Sequence, residues 1–287
     1  VTDYRERRFR SPDGLDLYYR AYGTATDRTP LLCLTGLTRN ARDYHRFALR
    51  HAGTRQVLVH DYRGRGRSAY DPEWRNYMPP TYVGDVLALL ADAGLTQAVF
   101  VGTSLGGLVT MAANAVAPQV VKAAALNDIG PVVDPSGLNR IATYTGADVR
   151  FPDMANARRG VQGMFGAAYP GLDDAGWEDF VQRLFRWDEA ARAWVLDYDL
   201  NLSLPIKEQA AAAAPPADLW PLYRMLRDKP VLVLRGALSD VLSAEIFERM
   251  SEDMPNVTRF AVPNRGHVPL LDEEPAAGAV DAFLAHV

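Results

Sequence analysis

Ala98-Val-Phe-Val-Gly-Thr-Ser-Leu-Gly-Gly-Leu-Val-Thr-Met-Ala112 decides the reading of this 287-residue chain. Ala98 to Val101 is an apolar run of strand length, and Leu108 to Val116 is rich in helix formers with no internal proline or glycine. Between them, Gly102-Thr-Ser-Leu-Gly-Gly107 must turn sharply. A residue at the apex of so tight a strand-to-helix turn needs neighbours without side chains, because the strand and helix backbones nearly touch there. Ser104 is then expected to hold its hydroxyl out of the end of a sheet.

Working outward, the same rhythm recurs. Arg5 to Arg10 and Leu15 to Tyr22, joined by Ser11-Pro-Asp-Gly14, read as a β-hairpin at an antiparallel edge. Leu31 to Leu34 is a fully apolar run, as expected for a strand covered on both faces, and a helix is expected from Ala41 to Leu49. Gln56 to His60 is the next strand and Thr81 to Ala93 the next helix; Val120 to Leu126 follows the Ser104 unit. After an interruption, Pro230 to Gly236 and Val257 to Val262 are expected as strands, with helices over Ala244 to Met254 and Pro275 to Ala285. Short apolar strands alternating with helices specify an α/β fold, a mostly parallel sheet with helices on both faces.

The interruption spans residues 131–218, which divides the core into 1–130 and 219–287. It offers no convincing strand, and Trp177 to Phe185 and Glu189 to Tyr198 read as helical. Its tail, Gln209 to Ala217, is alanine-rich and closed by Pro215-Pro216, a helix end or a linker. It is also dense in aromatic side chains, among them Tyr144, Phe151, Phe165, Tyr169, Trp177, Phe185, Trp187 and Trp194.

Gly-x-Ser-x-Gly between a strand and a helix resembles the nucleophile elbow of the α/β-hydrolase superfamily, and the likeness extends over the chain outside the insertion. A serine hydroxyl is a poor nucleophile at neutral pH and needs a base, itself held by a third group. Of five histidines, His45 and His51 flank a predicted helix, His60 ends a strand and His286 lies in the tail; His267, in Pro263-Asn-Arg-Gly-His-Val-Pro269, follows the last strand. Loops at the carboxyl ends of parallel strands gather at one edge, so His267 can meet Ser104. The resemblance implies the chain order Ser104, Asp240, His267, with the acid in Gly236-Ala-Leu-Ser-Asp240. Asp128 is the alternative acid, because it ends a strand at the same edge. An oxyanion hole is expected from the backbone N–H groups of Leu105 and Leu37, the latter in Thr35-Gly-Leu37, where relatives often carry His-Gly. Asp61-Tyr-Arg-Gly-Arg-Gly-Arg-Ser68 resembles the superfamily's Asp-x-Arg-Gly-x-Gly-x-Ser loop; its spacing fits neither a P-loop nor a dinucleotide fingerprint, and its arginines are expected to fix the loop by hydrogen bonds.

These features imply a cofactor-free serine hydrolase, with no metal, that cleaves carboxylic esters or lactones under a helical cap whose aromatics meet an apolar part of a small-molecule substrate. Serine at the elbow argues against the epoxide hydrolases and haloalkane dehalogenases of this fold, which use aspartate there. Carbon–carbon bond hydrolases, perhydrolases and acyltransferases share the triad, and a ligand receptor could keep the fold without turnover. The net charge of −4 gives no support to a nucleic-acid or membrane partner. The single cysteine, Cys33, sits in an apolar run and permits no intramolecular disulfide. A charged N-terminus and the absence of a long apolar stretch suggest a cytoplasmic location.

Overall fold

The computed structural model describes residues 3–211 and 217–287. Its strands are β1 (Arg5–Arg10), β2 (Asp16–Tyr22), β3 (Leu31–Leu34), β4 (Val57–Asp61), β5 (Ala98–Thr103), β6 (Val121–Asn127), β7 (Arg150–Phe151), β8 (Phe185–Asp188), β9 (Ala193–Leu196), β10 (Val231–Gly236) and β11 (Val257–Val262). The helices are α1 (His45–His51), α2 (Pro79–Asp92), α3 (Leu105–Val116), α4 (Pro135–Tyr144), α5 (Met154–Phe165), α6 (Asp174–Leu184), α7 (Ser203–Ala211), α8 (Trp220–Arg224), α9 (Ala244–Arg249) and α10 (Ala276–Leu284). One eight-stranded sheet runs in the order β1-β2-β4-β3-β5-β6-β10-β11. The pairs β1–β2 and β2–β4 are antiparallel and the rest are parallel.

The central strands are apolar up to their carboxyl ends because both faces are covered. Every residue of β3, β4 and β5 is buried. Alternate side chains divide between two cores: Leu32, Leu34, Leu58 and Phe100 on one face, Leu31, Cys33, Val59 and Val101 on the other. Burial raises the pKa of the Cys33 thiol well above its usual value and leaves it a small hydrophobe. Among the described residues no helix is long and apolar enough to cross a membrane.

The insertion between β6 and β10 departs from the all-helical expectation. It contains α4 to α7 and also a three-stranded antiparallel sheet in the order β7-β9-β8. The stretch from Glu189 to Tyr198, expected as a helix, is a hairpin turn followed by β9. Its Glu-Ala-Ala-Arg-Ala composition favours a helix in isolation, but Arg192 lies at φ +48 and the Asp188 carboxylate accepts from the Ala191 N–H at 3.0 Å, closing the turn. Trp194 then pairs with Trp187 across the strands, ring centroids 6.0 Å apart. The alanine-rich tail 209–217 falls largely outside the described residues.

Candidate active site

Ser104 stands between β5 and α3 at φ 51 and ψ −114, a conformation that costs a non-glycine residue on the order of 1–3 kcal/mol. The surroundings impose it. Its N–H donates to Asn127 O at 3.0 Å, and its own carbonyl accepts from the Gly107 N–H at 2.8 Å. A Cβ on Gly102 would run into the Gly106 carbonyl oxygen, and one on Gly106 into the carbonyl of Leu34. The two glycines of the elbow therefore let α3 start against the ends of β5 and β3.

His267 reaches this point from the loop after β11. The Gly266 N–H donates to Ala168 O at 2.7 Å, the Tyr169 hydroxyl donates to Val268 O at 2.8 Å, and Asn127 Nδ2 donates to Pro269 O at 3.0 Å. So held, the imidazole has Nε2 2.9 Å from Ser104 Oγ and Nδ1 2.7 Å from Asp128 Oδ2. The other four histidines stand elsewhere: burial lowers the pKa of His60 to about 3 and that of His51 to about 4, His45 contacts Tyr22 and His286 is in the tail.

The carboxylate against His267 is Asp128, not the expected Asp240. Asp128 directly follows β6, whose Asn127 is in register with Thr103 of β5, so its side chain emerges beside Ser104. It is fully buried, and it also accepts from Ser239 Oγ at 2.6 Å and from the Gly236 N–H at 2.8 Å. Asp240 lies four residues beyond the end of β10 and turns outward to Arg140 of α4, with contacts of 2.5 and 2.8 Å. Arg140 holds its carboxyl below the usual carboxylate range, against partial burial. The loop expected to supply the acid thus supplies donors to the other one. Sequence reading missed Ser239 in this role; a hydroxyl one residue before an aspartate carries no pattern of its own.

Leu105 opens α3, and Gly36 and Leu37 line the cavity at Ser104. Among the described residues neither Leu37 nor Leu105 donates its N–H to a protein acceptor. Arg65 fixes the loop from behind, its buried guanidinium donating to Leu37 O at 2.8 Å, Arg63 O at 2.8 Å and Tyr82 Oη at 2.9 Å. Arg63, equally buried, lies between Asp71, Asp85 and Asp13. These two arginines of the glycine-broken loop are turned into the protein.

The cavity over Ser104 measures about 70 Å³. The insertion contributes Ile141, Tyr144, Phe165 and Tyr169 to its wall, whereas Trp177 and Phe185 pack inside the insertion and Trp187 is exposed. Among the described residues no three His, Cys, Asp or Glu side chains gather as a metal ligand set.

Residues 31–282 match the model of the Alpha/beta hydrolase family. The chain belongs to that family. An alpha/beta hydrolase crystal structure from Novosphingobium aromaticivorans superposes with a TM-score of 0.94, at 41% identity and full coverage of both chains. A 3-hydroxybutyrate-oligomer hydrolase of Cupriavidus necator is 32% identical over 264 residues, 90% of this chain and 89% of the relative. A 2-(acetamidomethylene)succinate hydrolase of Mesorhizobium japonicum is 25% identical over 242 residues, 83% and 81% of the two chains. This member of the family is a hydrolase whose serine, histidine and aspartate stand in one hydrogen-bonded row.

Proposed function

We propose that this hydrolase cleaves short carboxylic esters, lactones included, through an acyl-enzyme on Ser104. The observation that carries the reading is the row from Ser104 Oγ through His267 to Asp128, at 2.9 and 2.7 Å. Asp128 accepts from Nδ1–H, which fixes the tautomer with Nε2 free to take the serine proton as Oγ attacks the carbonyl carbon. The tetrahedral oxyanion is received by the N–H groups of Leu37 and Leu105, each worth roughly 3 kcal/mol in the transition state. Collapse expels the alcohol, protonated by His267 Nε2–H. Water then attacks the acyl-enzyme, giving its proton to Nε2, and the carboxylic acid departs with Ser104 restored.

Apolar walls from Ile141, Phe165 and Leu270 suit an alkyl portion, and about 70 Å³ suits a short one. The segment from 131 to 218 acts as the cap that sets this limit. The name of the Cupriavidus relative adds oligoesters of hydroxy acids to the esters worth assaying.

Incubation with an organophosphonate should add one phosphonyl group at Ser104 and abolish hydrolysis of p-nitrophenyl butyrate. Esterase activity surviving in Ser104→Ala would overturn the proposal. Within a graded acyl series, Phe165→Ala should move the preferred length upward; an unchanged ranking would remove the cap from substrate selection.

A further inference from the structure

His267 belongs to the core by sequence, yet the insertion holds the main chain on either side of it. Among the described residues, every main-chain hydrogen bond of Gly266, His267 and Val268 runs to two residues of the insertion, Ala168 and Tyr169. The Gly266 N–H donates to Ala168 O at 2.7 Å and the Val268 N–H to Tyr169 Oη at 3.1 Å, and Tyr169 Oη donates back to Val268 O at 2.8 Å. The core takes hold of the backbone only beyond this stretch, where the Leu238 N–H donates to Arg265 O at 2.9 Å and Asn127 Nδ2 to Pro269 O at 3.0 Å. The approach is close as well. A Cβ on Gly266 would stand 2.9 Å from both Cα and Cβ of Ala168, so only glycine lets the two segments meet.

Tyr169 makes its bonds from the wall of the cavity. It and Val268 both line the space over Ser104. Its ring stands edge-on to Trp177 and Phe180, with centroids 6.1 and 5.2 Å away, so packing fixes where the hydroxyl lies. Burial raises its pKa to about 12, which keeps the proton that it donates. The hydroxyl spends that proton and a lone pair on one backbone position, the residue directly after His267. The imidazole in turn must meet two partners at once, Ser104 Oγ at 2.9 Å and Asp128 Oδ2 at 2.7 Å. A shift of about 1 Å spoils both contacts, and a misplacement of that size costs on the order of a hundredfold in rate.

On the acyl-transfer reading above, we infer that Tyr169 is a positioning residue for His267, so that the insertion which walls the cavity also sets the base. Docking of the insertion and assembly of the catalytic row are then one event. A motion that lifts Ala168 and Tyr169 from residues 266–268 withdraws the base together with the wall.

Tyr169→Phe keeps the ring in the wall and removes both bonds to Val268. In that variant kcat on p-nitrophenyl butyrate should fall at least about tenfold while KM stays within about threefold. The leaving group separates a misplaced base from a loosened fold. Ethoxide needs the proton of His267 Nε2–H to depart, whereas p-nitrophenolate leaves without one, so the loss in kcat/KM should be at least about tenfold larger on ethyl butyrate. A lower Tm with kcat unchanged, or equal losses on the two esters, overturns the inference. If the wild-type protein turns over neither ester, the acyl-transfer reading fails separately. In that case, or if Tyr169→Phe does not fold, amide exchange in the wild-type protein decides the positioning role. Protection of the Gly266 and Val268 amides within about tenfold of that of the Tyr169 and Leu172 amides supports it, because one opening exposes all four. A larger difference refutes it.

Discussion

Replacing Asp128 and Asp240 in turn by asparagine separates the two carboxylates at this sheet edge. Asp128 is fully buried and holds three donors, His267 Nδ1, Ser239 Oγ and the Gly236 N–H. An asparagine of the same shape can accept through only one side-chain oxygen. If that oxygen keeps the Gly236 N–H, which bonds Oδ1, the amide N–H₂ takes the place of Oδ2 and faces Ser239 Oγ and His267 Nδ1, and the imidazole must move its proton to Nε2, where it cannot accept from Ser104. In a serine protease triad the equivalent change lowers turnover about ten-thousandfold, which corresponds to roughly 5 kcal/mol of transition-state stabilisation. Asp240 instead pairs with Arg140 at a place where both side chains are about a third exposed, 35% and 32%. Such a pair contributes about 0–1 kcal/mol after solvent screening. The expected outcome is a loss of about three to four orders of magnitude in kcat/KM on p-nitrophenyl butyrate for Asp128→Asn and less than about tenfold for Asp240→Asn, with thermal melting confirming that both fold. A loss below tenfold for Asp128→Asn, or a hundredfold loss for Asp240→Asn, would refute the assignment of the acid.

Further outcomes can be checked by standard means. Arg65→Met removes the buried donor to Leu37 O, so kcat on p-nitrophenyl butyrate should fall at least about tenfold with a smaller change in KM; an unchanged kcat in a folded variant would show that the loop needs no such support. Gly106→Ala forces a methyl group into the Leu34 carbonyl and should prevent folding or lower Tm sharply, whereas Gly84→Ala meets only Pro12 at 3.6 Å on helix α2 and should raise stability by about 0.5–1 kcal/mol; equal Tm changes in the two would contradict the close approach at the elbow. Burial holds His60 and His51 neutral, with values lowered to about 3 and 4 from the ordinary 6.5. The unfolded chain therefore binds their protons first as pH falls, and the stability present above pH 6.5 is lost progressively down to about pH 3. Asp61, raised to about 6 by burial, opposes this between its ordinary 3.8 and 6, because the fold takes up its proton first. Tm measured from pH 7 to 4 should fall, and His60→Gln should flatten the slope; parallel slopes would rule His60 out as a source of the acid sensitivity.

Periodicity and glycine placement alone specified most of the core. The runs Leu31–Leu34 and Ala98–Val101 have no polar residue because they lie in strands covered on both faces, and that pattern is local in sequence. The elbow was legible for the same reason: Gly102 and Gly106 are required by contacts a few residues away, apart from the Leu34 carbonyl. His267 was legible by elimination, since four other histidines had evident places in helices, a strand or the tail. The hairpin β8–β9 was not, because Glu189-Ala-Ala-Arg-Ala prefers a helix until the pairing of Trp187 with Trp194 overrides it. The chain order that the resemblance implies put Asp240 ahead of Asp128, although both follow strands of one sheet. The choice rests on register: β6 lies directly beside β5 and ends level with it, so Asp128 meets His267, while four more residues carry Asp240 past the site to Arg140. Arg39 and Asp43 are an ordinary i,i+4 pair in the sequence, and only the fold puts them on the wall of the cavity that holds Ser104. What the chain determines by itself is what neighbouring residues can enforce; which distant side chains share a cavity is decided by strand order and by the length of each loop beyond its strand.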